Sequence, residues 1–277
     1  MSFLDQHILI DGVRLAYRDR GEGQHVVFVH GTPSYSYEWR DVVPHVEAAG
    51  FRVITYDLLG YGASERPLDR DTSVTGQTDL LIKLLDELGL DTVNLITHDI
   101  GGAIGQRVAI FHPTRVKRLM LMDTVSYDSW PSVTWQEIIR DKLASYEAMG
   151  AEEFDAMLSR QLKMTVDDET VMDGDGLRAF LAPHRTTLGR VSFFQHQVSH
   201  YDSKYTEELT DRLGEIAIPV RIVWGAQDQW QPVRYGERLA SDIANAKLVV
   251  LPEAGHFLME DDPEAVTAEV LDFLREK

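Results

Sequence analysis

The chain has 277 residues, 44% of them hydrophobic, with 45 acidic against 27 basic side chains for a formal charge of −18, and no cysteine. That length favours one large domain carrying an insertion over two independent domains. Disulfides, thiolate metal sites and a cysteine nucleophile are excluded, and the acidic balance argues against nucleic acid or an anionic membrane as a partner.

The opening "MSFLDQHILIDG" has no basic segment leading into an apolar one, so no signal peptide is expected. No apolar run reaches membrane-spanning length either, and the expected location is cytoplasmic. "ILI", "DG" and "VRLAYRD" read as an antiparallel hairpin closed by an Asp11-Gly12 turn. Strands follow at 25–30 ("HVVFVH"), 51–57 ("FRVITYD"), 92–99 ("TVNLITHD") and 116–123 ("VKRLMLMD"). Two more come late, at 219–225 ("PVRIVWG") and 246–252 ("AKLVVLP"). These runs are continuous and rich in β-branched residues, the pattern of parallel strands buried on both faces.

Helical spacing appears between them. "TDLLIKLLDELGL" has Gly89 as a stop, "GGAIGQRVAIFHP" closes at Pro113, and "PEAVTAEVLDFLREK" ends the chain. This βαβα alternation predicts an α/β fold with a mostly parallel central sheet and helices on both faces. It breaks between about Val125 and Leu213, where "SVTWQEIIRDKLASYEAMG" and "AEEFDAMLSRQL" are helix-like and "DDETVMDGDG" reads as a loop. The expected organisation is a core from 1–124 and 214–277 interrupted by a helical cap at 125–213.

The chemistry centres on "THDIGGAIGQ", where a strand meets a sharp turn and then a helix. This is the build of a nucleophile elbow, normally G-x-S-x-G, with Asp99 in the serine's place and Gly101 and Gly102 permitting close helix–strand approach. Two other readings compete. Aspartate is a favoured helix N-cap, and glycine loops bind dinucleotides, although the glycines at 101, 102 and 105 do not fit G-x-G-x-x-G.

Two further segments support the elbow. "HGTPS" follows a strand, so the backbone N–H of Thr32 and that of Ile100 could together form an oxyanion hole. Asp228 in "WGAQDQWQP" and His256 in "EAGHFLMEDDPE" each lie just beyond a strand, which yields the chain order nucleophile, acid, histidine. Asp123 also ends a strand and is the alternative acid.

On these residues the chain resembles the α/β-hydrolase superfamily from end to end, the cap matching only in general character. "HGTPSYSYEWR", "YDLLGYGASERP" and "HDIGG" are similar to the aspartate-nucleophile branch, which contains haloalkane dehalogenases and epoxide hydrolases. The resemblance implies a hydrolase that forms an ester on Asp99. A serine must lose a proton before attack, whereas an aspartate, with a reference pKa of about 3.9, is already ionised. His256, oriented by Asp228, would then activate water against the ester.

Within that branch the leaving group stays open between halide, slightly favoured, and epoxide oxygen. Dehalogenases usually carry a tryptophan after the nucleophile and a second donor after "HG"; this chain has Ile100 and Thr32 there. Trp130 or Trp135 in the cap could supply an indole N–H. Epoxide hydrolases use two cap tyrosines, for which Tyr127, Tyr146, Tyr201, Tyr205 and also His196 are candidates. Esterase or lactonase activity and a non-catalytic ligand receptor are the remaining alternatives. His98 is expected to bond near the elbow rather than touch substrate. Histidines 184, 196 and 200 form no metal pattern and "DDETVMDGD" lacks calcium-loop spacing, so no metal and no cofactor is expected, only a small-molecule substrate and water.

Overall fold

The structure is a computed structural model that describes residues 3–276. Its strands are β1 (Gln6–Ile10), β2 (Val13–Arg20), β3 (His25–Val29), β4 (Arg52–Tyr56), β5 (Val93–His98), β6 (Val116–Met122), β7 (Val220–Gly225) and β8 (Ala246–Leu251). They form one sheet in the order β1-β2-β4-β3-β5-β6-β7-β8. The first hairpin turns at Asp11 and Gly12, with φ of 53° and 82°, the left-handed pair that a two-residue connection requires. β2 then runs antiparallel to β4, and every pairing from β4 to β8 is parallel.

Helices cover both faces. α1 (Val43–Ala48), α2 (Val74–Glu87) and α3 (Ile100–Phe111) are joined late in the chain by Arg234–Asp242 and Pro263–Arg275. Because successive strand residues point to opposite faces, Leu95 and Leu121 pack with Leu81, Ile104 and Leu239, while Ile96 and Met120 pack with Val43, Val46 and Phe273. α2 begins at Val74 rather than Thr78. Ser73 caps it by accepting the Gly76 N–H, and polar Thr and Gln in its first turns hide the apolar stripe.

One strand departs from expectation. β5 and β7 are buried at every position, but β8 is only partly covered and Val250 is 41% exposed. The reason is its place at the outer edge, where β7 is its one neighbour.

Among the described residues no strand lies between β6 and β7. The intervening chain is helical, with Val133–Glu137, Ala151–Lys163, Gly174–Leu181 and Thr187–Ser192 interrupted by wide turns at Ile138–Lys142 and Phe193–Gln197. The acidic stretch expected as a loop ends in helix, since its glycines 174 and 176 belong to Gly174–Leu181. Aromatic contacts bind the segment together; Phe154 meets Phe193 edge-on at 5.4 Å. Among the described residues no helix is long and apolar enough to cross a membrane.

Candidate active site

After β5 the chain turns at Asp99 with φ 51° and ψ −119°, a strained conformation for a side-chain-bearing residue, and enters α3 at once. Close packing holds the turn. A Cβ on Gly101 would lie 2.4 Å from the Val29 carbonyl oxygen, and one on Gly31 would lie 2.6 Å from Asp99 Cβ. Asp99 occupies the N-cap position of α3, yet its side chain accepts no capping bond from the helix. Oδ1 instead accepts the Thr32 N–H at 2.7 Å. Ile100 opens α3, and its N–H makes no hydrogen bond to this carboxylate.

His256 reaches the same carboxylate from the loop after β8. Its Nε2 stands 3.5 Å from Asp99 Oδ2, and its Nδ1–H donates to Asp228 Oδ2 at 2.8 Å. The other oxygen of Asp228 accepts the N–H groups of Trp230 and Gln231 at 2.7 and 2.9 Å, which fixes the carboxylate behind the imidazole. Asp123, at the end of β6, accepts the Gly225 N–H at 2.9 Å and makes no hydrogen bond to His256. Of the two acids weighed from sequence, Asp228 is the one on the ring.

The motif residues around this trio brace it. His98 Nε2–H donates to the His256 carbonyl at 2.9 Å, so the residue before the elbow steadies the histidine loop. His30 Nε2 accepts the Leu58 N–H at 2.9 Å, and Asp57 accepts the N–H groups of Ser36 and Ala63 at 2.9 and 2.7 Å. These bonds join "HGTPS" to "YDLLGYGAS" and so position the Thr32 amide.

All three central side chains are buried. Burial pushes the Asp99 carboxyl upward, but His256, His98 and the Thr32 amide outweigh it and hold the group below its ordinary value. For His256, burial favours the neutral ring; the charges and hydrogen bonds of Asp228 and Asp99 overcome this and hold it well above the usual range. The side chains on either side of the ring thus favour its protonated form.

A small cavity of about 50 Å³ opens over Asp99 and His256. Trp130, Trp135, Phe193 and Trp230 supply its apolar wall, and Thr32 and Tyr201 its polar side. The Tyr201 hydroxyl and Thr32 Oγ1 are 3.0 Å apart. Two other candidate donors lie elsewhere. Tyr127 gives its hydroxyl to Asp242 at 2.8 Å and stacks on Tyr235, and His196 Nε2 bonds the Pro67 carbonyl at 2.7 Å. Tyr146 packs edge-on against Trp135 outside the cavity lining, and Tyr205 is outside it as well. Trp230, Thr165 and Gln161 line the cavity and were not among the residues expected from sequence. Trp230 had one available signal, its place two residues after Asp228. Its indole N–H is buried without a partner.

An eight-stranded, mostly parallel sheet with an aspartate elbow after β5, an acid after β7 and a histidine after β8 defines a class of hydrolases. The family described as the α/β-hydrolase fold matches residues 24–263, and the chain belongs to it, as an enzyme of that superfamily. A solved α/β-hydrolase fold protein from Burkholderia ambifaria is 35% identical, with a TM-score of 0.91 and 98% of each chain covered. A 2-hydroxy-6-oxononadienedioate/2-hydroxy-6-oxononatrienedioate hydrolase from Paraburkholderia xenovorans is 29% identical over 95% of this chain and 91% of its own length. A haloalkane dehalogenase from Mycolicibacterium smegmatis is 42% identical over 135 residues, 46% of this chain and 43% of that protein.

Proposed function

We propose that the protein hydrolyses small apolar substrates through a covalent ester on Asp99, with carbon–halogen bonds as its first substrate class. The observation that carries this is the state of Asp99: a buried carboxylate whose Oδ1 takes the Thr32 amide while Oδ2 faces His256. Oδ2 attacks the substrate carbon, the carbon–halogen bond breaks, and halide leaves with the bonding pair. Oδ1 becomes the ester carbonyl oxygen, already seated on the Thr32 N–H that holds it in the resting structure. His256, once it has lost its resting proton to solvent, then takes a proton from water as the water attacks the carbonyl carbon of the ester, Asp99 Cγ. The water's second proton leaves with the alkoxide. Cleavage regenerates the carboxylate and releases an alcohol.

Alkylation also prepares the base. Esterified Asp99 carries no negative charge, so one of the two groups that keep His256 protonated is removed when the neutral ring is needed.

The indole-rich wall supports halide as the leaving group, because Trp130, Trp135 and Trp230 can turn N–H edges toward an anion. The 42% identity to a dehalogenase is in the same direction. A dioate like that in the name of the Paraburkholderia relative fits less well. Two carboxylates call for cations, and among the described residues the cavity lining has no lysine or arginine. The Tyr201 hydroxyl beside Thr32 favours a second reading, epoxide opening, in which a tyrosine would protonate the leaving oxygen.

The deciding experiment mixes His256→Gln with brominated alkanes and with terminal epoxides. Intact mass should rise by one alkyl group with bromoalkane, on the peptide containing Asp99, and Asp99→Asn should gain none. Full steady-state turnover by His256→Gln, or a label on another residue, overturns the route; adducts with epoxides alone would move the substrate class.

A further inference from the structure

Asp123 and Asp228 are moored to the same residue: the first accepts the Gly225 N–H, and the backbone N–H of the second donates to the Gly225 carbonyl at 3.3 Å. This places two fully enclosed carboxyls together behind one imidazole. Asp228 is well provided, with two amide donors on Oδ1 and the His256 ring on Oδ2. Asp123 is not. It is 0% exposed, its Oδ2 has no hydrogen-bond partner when both groups are carboxylates, and no lysine or arginine pairs with it among the described residues. One amide donor is too little to sustain a buried anion beside another anion. With a proton on Oδ2 the conflict disappears, because the O–H then has an acceptor in Asp228, whose Oδ2 has a lone pair left over.

We propose that Asp123 is a neutral carboxylic acid in the resting enzyme and donates a hydrogen bond to the Asp228 carboxylate, acting as a positioning residue for the acid behind His256. The charged groups facing it are Asp228 and His256. Burial first, and then the Asp228 charge, push the Asp123 carboxyl well above the ordinary carboxylate range, in line with the geometry. The backbone at Asp123, with φ 39°, aims this side chain across the end of β7, and the Asp123 N–H is anchored on the Val223 carbonyl at 3.2 Å. The role differs from that of an alternative acid. An acid on His256 must be ionised, whereas this group works by staying protonated, holding Asp228 Oδ2 in line with Nδ1 and moderating how strongly it attracts the imidazole proton.

Two measurements test it. The infrared spectrum of aspartate-¹³C-labelled protein at neutral pH in D₂O should contain a protonated-carboxyl C=O band that shifts with the label and vanishes in Asp123→Asn. This arm does not depend on the Asp99 ester reading. The kinetic arm rests on that reading and compares Asp123→Asn with Asp123→Leu in single-turnover experiments. Asparagine keeps an acceptor for Gly225 and a donor for Asp228, so it should rescue ester hydrolysis that leucine slows by roughly tenfold or more. The rate of ester formation should stay similar in both. A spectrum unchanged by Asp123→Asn overturns the proposal, as does an asparagine variant as damaged as the leucine one. If leucine prevents folding, the infrared result alone decides. A band that vanishes while no ester forms would leave the proton on Asp123 and remove the Asp99 reading instead.

Discussion

His256 Nε2 stands 3.5 Å from Asp99 Oδ2, close enough for charge attraction and too far for a short hydrogen bond, so the attacking oxygen is paired without being blocked. The two halves of the proposed reaction therefore respond differently to pH. Asp99 is held below its ordinary value, so it stays ionised until the pH falls through that lowered value; ester formation should be flat across neutral pH and fail only in acid. Ester hydrolysis requires neutral His256, whose remaining partner, Asp228, still favours the proton. Its rate should rise with pH and level off once the imidazole is deprotonated. Rapid-quench measurement of the two phases checks this; parallel pH profiles would refute it.

Asp228 should be the costly acid to lose. Asp228→Asn keeps an acceptor for the Trp230 and Gln231 amides but cannot stabilise the imidazolium formed as water is activated. Turnover should fall by about 10³–10⁴, as for a triad acid elsewhere. Bromide release with folding checked by circular dichroism gives the answer, and a loss under tenfold would mean that another group orients His256.

How much of this was legible in the sequence depends on the kind of signal. The strands, the elbow and the order of Asp99, Asp228 and His256 are readable because parallel strands are continuous apolar runs and each of the three residues lies in the turn or loop that follows one. β8 misleads, as "AKLVVL" has an interior strand's composition on an edge. The cap is harder for a physical reason. Its wide turns at Ile138–Lys142 and Phe193–Gln197 shift the helical phase, so spacing alone cannot say which side chains turn inward. Tyr201 reaches the cavity whereas Tyr127 and His196 are spent on Asp242 and Pro67, a difference of rotation that no local pattern encodes.

The elbow's packing makes a stability prediction. Gly101→Ala would set a methyl 2.4 Å from the Val29 carbonyl oxygen and 2.8 Å from that of His30, both backbone atoms that cannot step aside. Forcing α3 away from β3 should cost about 1–3 kcal/mol. Urea denaturation should show a lower midpoint. An unchanged midpoint would mean that the helix shifts freely, and the strained geometry at Asp99 would then need another support.

The leaving group can be assigned by exchanging its candidate donors one at a time. If halide departs toward the indoles, removing an N–H should slow ester formation with bromoalkanes and leave later hydrolysis alone, since the halide is gone by then. Trp135→Phe is the cleanest such change, because phenylalanine keeps most of the aromatic contact with Phe193 and Tyr201, whose rings lie 5.9 and 5.5 Å away. Trp130→Phe is its companion, with Tyr201 at 4.9 Å. One lost donor in a dry site is worth about 3 kcal/mol, so the rate with bromoalkane should drop by about a hundredfold for whichever indole faces the halide. Tyr201→Phe tests the other reading. Burial holds its phenol far above the ordinary range, so it remains a proton donor at working pH, and an epoxide would need that proton while a bromide would not. Epoxide turnover collapsing in Tyr201→Phe with bromoalkane turnover retained assigns the hydroxyl to oxygen leaving groups. Loss of bromide release in either tryptophan variant, with Tyr201→Phe unaffected, assigns the site to halide. If none of the three changes alters ester formation selectively, neither group of donors touches the leaving atom, and the unpartnered indole N–H of Trp230 becomes the next to remove.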